Sequence, residues 1–337
     1  MKSVLVTGAA GFIGSHVVEA LLDRGDHVIG IDNFDADGEP RRKHRNVAEI
    51  MDHPAAERFV MYEMDIRDAS ALLALCQKHR PDAIVHLAAL AGVRTSIRQC
   101  RRYFDVNVNG SLALLEAARE TRVGQLVFAS TSSVYGNGDA QPLVESVACD
   151  RPLSPYSASK RSVELIGAAY HHLHGLHFTA LRFFTVYGPR NRPDMMAYKL
   201  LESITRGQCV PLYNGGLLHR DWTYVKDIAA GVVAAVDRPL GYEAINLGRG
   251  EAVLLKDFVS RLEDLAGDRA QLIDEPAPLA DVVYTHACID KARALLGYTP
   301  TTSVHEGARE LWRWYSGQVE RRGPELSPPS AAYLPDW

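Results

Sequence analysis

No stretch of this 337-residue chain approaches the roughly 20 apolar residues that a membrane-spanning helix requires, so no membrane partner is expected. Cysteine is scarce. The five residues, Cys76, Cys100, Cys149, Cys209 and Cys288, are scattered, odd in number and never spaced Cys-x-x-Cys. That pattern excludes a disulfide framework and a cysteine zinc site, and fits a reducing, cytoplasmic compartment. Charge of one sign is not in excess, with 37 Lys and Arg against 41 Asp and Glu. Long basic runs are absent, which argues against nucleic acid as a partner. The densest basic patch, Arg41 to Arg45, reads as a solvated loop face. The opening residues, MKSVLVTGAAGFIG, enter a strand and turn at once, so no signal peptide is expected. There is no internal repeat. What is present is ordinary globular composition, 47% hydrophobic and 23% charged, in a chain long enough for about two domains.

The short apolar run Ser3 to Val6 predicts a buried parallel strand. Gly8, Gly11 and Gly14 follow in TGAAGFIG, and helical spacing resumes from Phe12 to Leu22. Strand, glycine turn and helix in that order is the context for binding a dinucleotide. The glycines permit a tight turn and close approach of backbone to a pyrophosphate, which then faces a helix N-terminus. The next strand, His27 to Ile31, ends at Asp32. An acid there accepts hydrogen bonds from ribose hydroxyls and repels a 2′-phosphate, favouring NAD, although Arg41 and Arg42 leave room for NADP. Strands and helices keep alternating: strand Phe59 to Tyr62, helix Ala69 to His79, strand Ala83 to Leu87, a long helix Tyr103 to Arg119 containing Asn107, and strand Leu126 to Ala129. Asp65-Ile66 could flank an adenine, and the small residues from Ala88 to Gly92 would let a cofactor lie on the backbone.

Two features suggest chemistry. Ser130-Thr131-Ser132-Ser133 closes a strand at the edge where open parallel sheets bind ligands, and could hold a substrate oxygen or simply cap the turn. Tyr156 and Lys160 lie one turn apart on a helix expected over Ser157 to Leu173. An ammonium beside a phenol favours phenolate and would turn a weak base into a useful one. After the strand Phe178 to Phe184 the chain becomes rich in Gly, Pro and Arg, and helix Met196 to Arg206, strand Val210 to Tyr213 and helix Val225 to Val236 depart from a strict alternation. His171, His172, His174 and His177 lack acidic or cysteine companions, so they read as the polar end of a helix and no metal is expected.

Several segments together resemble the extended short-chain dehydrogenase/reductases that act on nucleotide sugars: TGAAGFIG, Asp32-Asn33, HLAALAGV, STSSVYG, SPYSASK, LRFFTVYGP and RDWTYVKDIA. Ala91 to Arg94, Ser130 to Gly136 and Arg182 to Met195 look most like the UDP-glucuronate 4-epimerases. The resemblance implies an α/β fold, a Rossmann-type doubly wound parallel sheet with a smaller C-terminal α/β substrate-binding domain. It places the NAD-binding domain at residues 1–184, with roughly 222–250 returning to it, and the nucleotide-sugar domain at 185–323. A flexible tail, rich in Pro and Ser, would occupy 324–337. It implies that Gly8, Gly11, Phe12, Ile13 and Gly14 hold the NAD pyrophosphate and Asp32 the ribose. Asp65 and Ile66 would flank adenine, Leu87, Ala88 and Ala89 would line the groove, and Asn33, Asn107 and Phe183 would make further cofactor contacts. Tyr156 is implied as the acid–base, Lys160 as its partner on the nicotinamide ribose, and Thr131 as the hydroxyl at the sugar O4. Arg192 fits an arginine for the uronate carboxylate, helped by Ser132, Ser133 and Thr185. Arg220 fits the UDP phosphates and Asp281 the uridine ribose.

The chain departs from the family pattern at Pro278, where relatives often carry a polar residue, and at Arg190-Asn191, which replace a more usual Trp-Gly and loosen the loop that carries Arg192. The expected reaction is C4 epimerisation of UDP-glucuronate by a homodimer built on the two long helices. Its rivals are 4-epimerisation of a neutral UDP-hexose, a dehydratase or decarboxylase, and a non-catalytic NAD(H) sensor. Ser132 and Ser133 stand where dehydratases and decarboxylases carry acids, which disfavours that rival.

Overall fold

The computed structural model describes residues 1–35, 40–138 and 141–322. The expected tail at 324–337 lies outside the described residues. Among the described residues, twelve strands and twelve α-helices follow in chain order. The strands are β1 (Ser3–Thr7), β2 (His27–Asp32), β3 (Phe59–Glu63), β4 (Ala83–His86), β5 (Gln125–Thr131), β6 (His177–Phe183), β7 (Thr185–Tyr187), β8 (Cys209–Tyr213), β9 (His219–Tyr224), β10 (Tyr242–Leu247), β11 (Ala252–Leu254) and β12 (Gln271–Glu275). The helices are α1 (Phe12–Asp23), α2 (Pro40–Met51), α3 (Ala69–His79), α4 (Val93–Arg98), α5 (Cys100–Phe104), α6 (Gly110–Thr121), α7 (Pro155–His174), α8 (Met196–Arg206), α9 (Val225–Val236), α10 (Leu255–Ala266), α11 (Asp290–Leu296) and α12 (Val304–Arg322). No helix among the described residues is long and apolar enough to cross a membrane.

The main sheet has seven strands in the order β10-β6-β5-β4-β1-β2-β3. Every pair in it is parallel. The chain runs outward from β1 in one direction and then, through β4, in the other, so the fold is Rossmann-like α/β with its switch point between β1 and β4. Alternation along the strands builds two cores. In β1, Val4 and Val6 face one and Leu5 the other; in β5, Val127 and Ala129 face the first, Leu126 and Phe128 the second. The later chain adds a three-stranded sheet, β11-β9-β7, and the two-stranded β12-β8.

Two expectations change here. The Arg41–Arg45 patch is not a loop face but the first turns of α2, and Arg42 is buried. The long helix expected from Tyr103 to Arg119 is α5 and α6 joined by a π-helical turn over Asp105–Asn109. Such a turn rotates one residue out of the α ladder and often marks a working position.

Candidate active site

The glycine turn is defined by how little room it leaves. Gly8 has φ +72, and a Cβ there would lie 2.7 Å from the Ala88 nitrogen. A Cβ on Gly14 would lie 2.0 Å from the Gly8 oxygen, so α1 packs directly on the turn. Gly11 caps α1 without a side chain, leaving its first amides to face an anion. Phe12 is buried and Ile13 packs against the core beneath the turn.

Beside it, Leu87, Ala88 and Ala89 are held by a directed hydrogen-bond chain through β4. The Ala88 N–H donates to Thr7 Oγ1 (3.1 Å), and Thr7 Oγ1 lies 2.7 Å from His86 Nδ1. His86 Nε2 lies 2.8 Å from Ser111 Oγ, whose own proton goes to the Asn107 carbonyl (2.5 Å). Only one arrangement satisfies every partner: Nε2 carries the proton and Nδ1 accepts from Thr7. Burial, aided by the Lys160 charge, pushes His86 down to about 3, consistent with that neutral ring. His86 was no sequence candidate; polar Thr7 and Ser111 inside apolar runs were the available signal. Asn107 sits in the π turn and clamps Leu90 through both amide atoms (2.8 and 3.0 Å) while donating to Ser159 Oγ (3.0 Å). Its side chain positions the groove wall rather than standing free for a ligand.

Asp32 is buried at the end of β2, where Oδ1 accepts from the Phe34 amide (2.9 Å) and pairs with Lys43 of α2 (2.7 Å). Asn33 donates to Asp65 (3.1 Å). Asp65 also takes a two-point grip from Arg67, and that grip holds its carboxyl well below the usual range. Ile66 is buried against Gly110. Phe183 is buried in the core at the end of β6, in register with Thr131.

Helix α7 begins where it does because Ser154 and Ser157 form a reciprocal capping box with Pro155 in the first turn. Such a cap is worth about 1 kcal/mol. Tyr156 falls in that first turn, with Lys160 and Glu164 following at four-residue intervals. Glu164 is fully buried, accepts from Ser130 Oγ (2.5 Å) and takes both arms of buried Arg182 (3.0 and 2.8 Å). Burial opposes its charge, yet Arg182 and Ser130 hold its carboxyl below the ordinary value. Together with Ser130 the pair pins α7 to β5 and β6, two turns along the helix from Tyr156.

Thr131 Oγ1 accepts from the Ser133 amide and donates to Ser133 Oγ, both at 3.2 Å, so it caps the short turn Ser132–Tyr135 while facing the phenol. Burial raises the Tyr156 phenol; the Thr131 hydroxyl and then the Arg192 charge work against that rise. Lys160 was expected to lower the phenol; its own contacts lie with the sheet. Its Nζ donates to the Ala129 carbonyl (2.8 Å) over the Phe128 ring, and burial brings it down to about 7. The ammonium is engaged by a strand carbonyl, and Arg192 stands as a second cation acting on the phenol.

Arg192 reaches Tyr156 from a loop 36 positions later. Its Nε and Nη2 form a two-point pair with Asp194 (2.9 and 2.7 Å). The loop is not loosened by Arg190-Asn191. Arg190 is buried, at φ +64, and its guanidinium bridges Glu49 (2.8 Å) and Glu19 (2.6 Å); Asn191 is fully buried and accepts from the Arg192 amide (2.9 Å). Buried charge held by two carboxylates fixes the loop here.

Thr185 begins β7, in register with Trp222 of β9. Arg220, also on β9, donates to the His219 and Val283 carbonyls (2.8 and 3.3 Å) and lies within electrostatic reach of Asp281 and Arg94. Asp281 pairs with Arg94 of α4 (2.8 Å), and Arg94 stacks on Tyr213 at 4.4 Å. Arg94 and Tyr213 therefore join the two residues the sequence singled out there. Of the histidine group, His171 Nδ1 bonds the Leu176 carbonyl and His177 Nδ1 accepts from the Gly241 amide. Among the described residues no three His, Cys, Asp or Glu side chains are placed to hold a metal ion.

A family model described as the NAD dependent epimerase/dehydratase family matches residues 4–248. The chain is 40% identical over 321 residues to a UDP-glucuronate 4-epimerase of Thermodesulfobacterium geofontis, covering 95% of this chain and 98% of that one. Among solved structures, the UDP-glucuronic acid 4-epimerase of Bacillus cereus in complex with UDP-glucuronic acid and NAD superposes with a TM-score of 0.87 at 34% identity, over 94% of this chain and all of that one. The UDP-glucose 4-epimerase of Thermotoga maritima, with UDP-glucose, gives 0.85 at 31% identity, over 94% and 99% of the two chains.

Proposed function

The chain belongs to the NAD dependent epimerase/dehydratase family, and from that premise we propose that it interconverts the C4 epimers of a UDP-sugar, UDP-glucuronate and UDP-galacturonate. What supports the choice of a uronate is Arg192, a guanidinium fork held in one plane by Asp194 (2.9 and 2.7 Å) and within electrostatic reach of the Tyr156 phenol. Such forks match carboxylates in both charge and geometry.

The residues present suit NAD. The turn has no space for a Cβ at Gly8 or Gly14 and offers bare amides after Gly11, and buried Asp32 ends β2. Gly8, Gly11, Phe12, Ile13 and Gly14 would hold the pyrophosphate, Asp32 and Asn33 the ribose, Asp65 and Ile66 the adenine side, and Leu87 to Ala89 the groove. When bound, NAD supplies the hydride acceptor and donor at the sugar C4. Tyr156 takes the O4 proton as the 4-keto sugar forms and returns it when the other epimer is made. Thr131 holds O4 at the phenol. Lys160 braces the Tyr156 turn against β5 through the Ala129 carbonyl. Arg192, with Ser132, Ser133 and Thr185, keeps the uronate carboxylate out of line with the C4 carbonyl, since an aligned β-keto acid loses CO₂. Arg220, Asp281, Arg94 and Tyr213 surround the nucleotide end.

One observation favours a second reading, 4-epimerisation of neutral UDP-glucose: Asp194 already occupies one edge of the Arg192 fork. Incubating purified protein separately with UDP-glucuronate and UDP-glucose, followed by chromatography, decides. UDP-galacturonate is the expected product; turnover of UDP-glucose alone overturns the uronate reading. We also propose a homodimer through α6 and α7, whose Leu112, Leu165 and Leu173 are exposed (39, 56 and 69%). Light scattering of a Leu165→Glu variant should show a monomer, and an unchanged dimer would place the interface elsewhere.

A further inference from the structure

We propose that Arg190 is a positioning residue: it fastens the loop that carries Arg192 to the two helices beside the dinucleotide's glycine turn, so that grip on the sugar depends on the packing around the cofactor. The inference rests on the reading of Arg192 as the group that faces the sugar carboxylate.

The contacts converge from three segments distant in sequence. Arg190 donates through Nε to Glu49 of α2 and through Nη2 to Glu19 of α1. In return, Arg42 of α2 donates to the Arg190 carbonyl (3.0 Å). His16 of α1 bonds the Pro189 carbonyl through Nε2 (3.0 Å). Burial, with the Arg190 charge second, pushes His16 down to about 3, so it is neutral and its 3.7 Å approach to Glu19 is no ion pair. One helical turn from Glu49, Asn46 donates to the Ala10 carbonyl inside the glycine turn (2.9 Å). A continuous path of packed polar groups therefore runs from Ala10 through α2 to Arg190, and on through buried Asn191 to the Arg192 amide.

The location also argues for a fixed register. Arg190 adopts φ +64, which a residue other than glycine holds only where its surroundings impose it. Asn46 Oδ1, Arg190 Nη1 and Asn191 Nδ2 are buried without a protein partner. Buried polar atoms of this kind are normally completed by internal water. A merely cohesive contact could be apolar, as an aromatic at this position would be. A guanidinium between two carboxylates instead fixes direction at both ends.

The test compares Arg190→Met, Arg190→Lys, and a triple variant with Glu19→Gln, Glu49→Gln and Arg190→Met. The triple variant removes the repulsion that two abandoned carboxylates would create, so it keeps the question open should the single Met variant fail to fold. NAD retained after dialysis is measured first. KM and product ratio with UDP-glucuronate are then measured per NAD-bearing molecule. The expected result for the Met and triple variants is a KM raised at least tenfold, a decarboxylated product beside the epimer, and at least a threefold fall in retained NAD. Lysine, which reaches one carboxylate, should fall between them and the unaltered protein. If a folded triple variant keeps the original KM and product ratio, Arg190 is a stabiliser only and the proposal is overturned. If the unaltered protein does not turn over UDP-glucuronate, that reading has failed by itself. Retained NAD then decides the present one: a fall in the triple variant upholds it, and no change overturns it.

Discussion

The glycine turn between β1 and α1 and the loop from Gly188 to Met195 serve the two ends of one proposed reaction, and they are made of different material. The turn works through what is absent: three positions without side chains bring α1 within 2.0 Å of a would-be Cβ clash and bare the helix amides. The loop works through what is present: Arg190 and Arg192, each held by carboxylates, carry charge at two positions of the same eight-residue stretch. A site made of backbone is written locally and tolerates no substitution. A site made of converging side chains depends on partners more than a hundred positions away, as Arg190 does on Glu19 and Glu49.

The largest expected effect falls between the two regions. Tyr156→Phe should lower kcat by about 10³ or more, the scale of a lost general acid–base, while bound NAD stays near stoichiometric. Substantial activity in that variant would mean that neither region is organised around the phenol. Next comes Gly14→Ala. Its Cβ would meet the Gly8 oxygen, and relief requires α1 to back away from the turn. A loss of about 3 kcal/mol in unfolding free energy is expected from overpacking of this kind, together with loss of bound NAD. If Gly14→Ala keeps its cofactor, the turn is more compliant than its geometry implies.

Acid should affect both regions together, because each packs against a buried neutral histidine, His86 beside the turn and His16 against the Pro189 carbonyl of the loop. The folded-state values of His16 and His86, about 3, lie below the ordinary 6.5. The unfolded chain therefore binds protons that the folded one refuses. Stability from these groups is complete above pH 6.5 and is lost as pH falls from there toward 3. At pH 5 each histidine should have cost about 2 kcal/mol. Urea unfolding of the protein and of His86→Gln at pH 7 and pH 5 measures this. An identical pH slope in the two would show that His86 is not the neutral link between Thr7 and Ser111.

The same contrast explains what could be read from sequence. The strands β1, β2, β4, β5 and β6, and helices α1, α3, α8 and α9, announce themselves by apolar periodicity, glycine and flanking turns, so the Rossmann-like core was legible nearly to the residue. Helix α2 was not. Its first half, PRRKHRN, carries no apolar stripe, and the burial of Arg42 depends on the Arg190 carbonyl 148 positions on. Tyr156 and Lys160 were visible as a pair at helical spacing. That Lys160 would turn to the Ala129 carbonyl, and that Arg192 would also act on the phenol, depends on rotamers set by the sheet beneath and on a loop 36 positions away. The π turn that hands Asn107 to Leu90 and Ser159 has no sequence signature either, since it is a local misfit between α5 and α6.

The smallest effect separates the two jobs of the loop most sharply. Asp194 pairs with the same edge of Arg192 that would suit a carboxylate ligand, so it competes for the guanidinium while also fixing its plane. Removing the competing charge by Asp194→Asn should strengthen the attraction for the uronate, lowering KM for UDP-glucuronate up to tenfold, about 1.4 kcal/mol. The same change releases the plane, so the carboxylate is held tightly but at no fixed angle, and CO₂ should appear with the epimer. A neutral sugar senses neither effect, so kinetics with UDP-glucose should be unchanged. That opposition between tighter binding and poorer product control distinguishes Asp194 from Arg190, whose loss is expected to weaken both. A rise in KM with a clean product would show that Asp194 supports binding alone, and that the plane of Arg192 is set by the loop backbone.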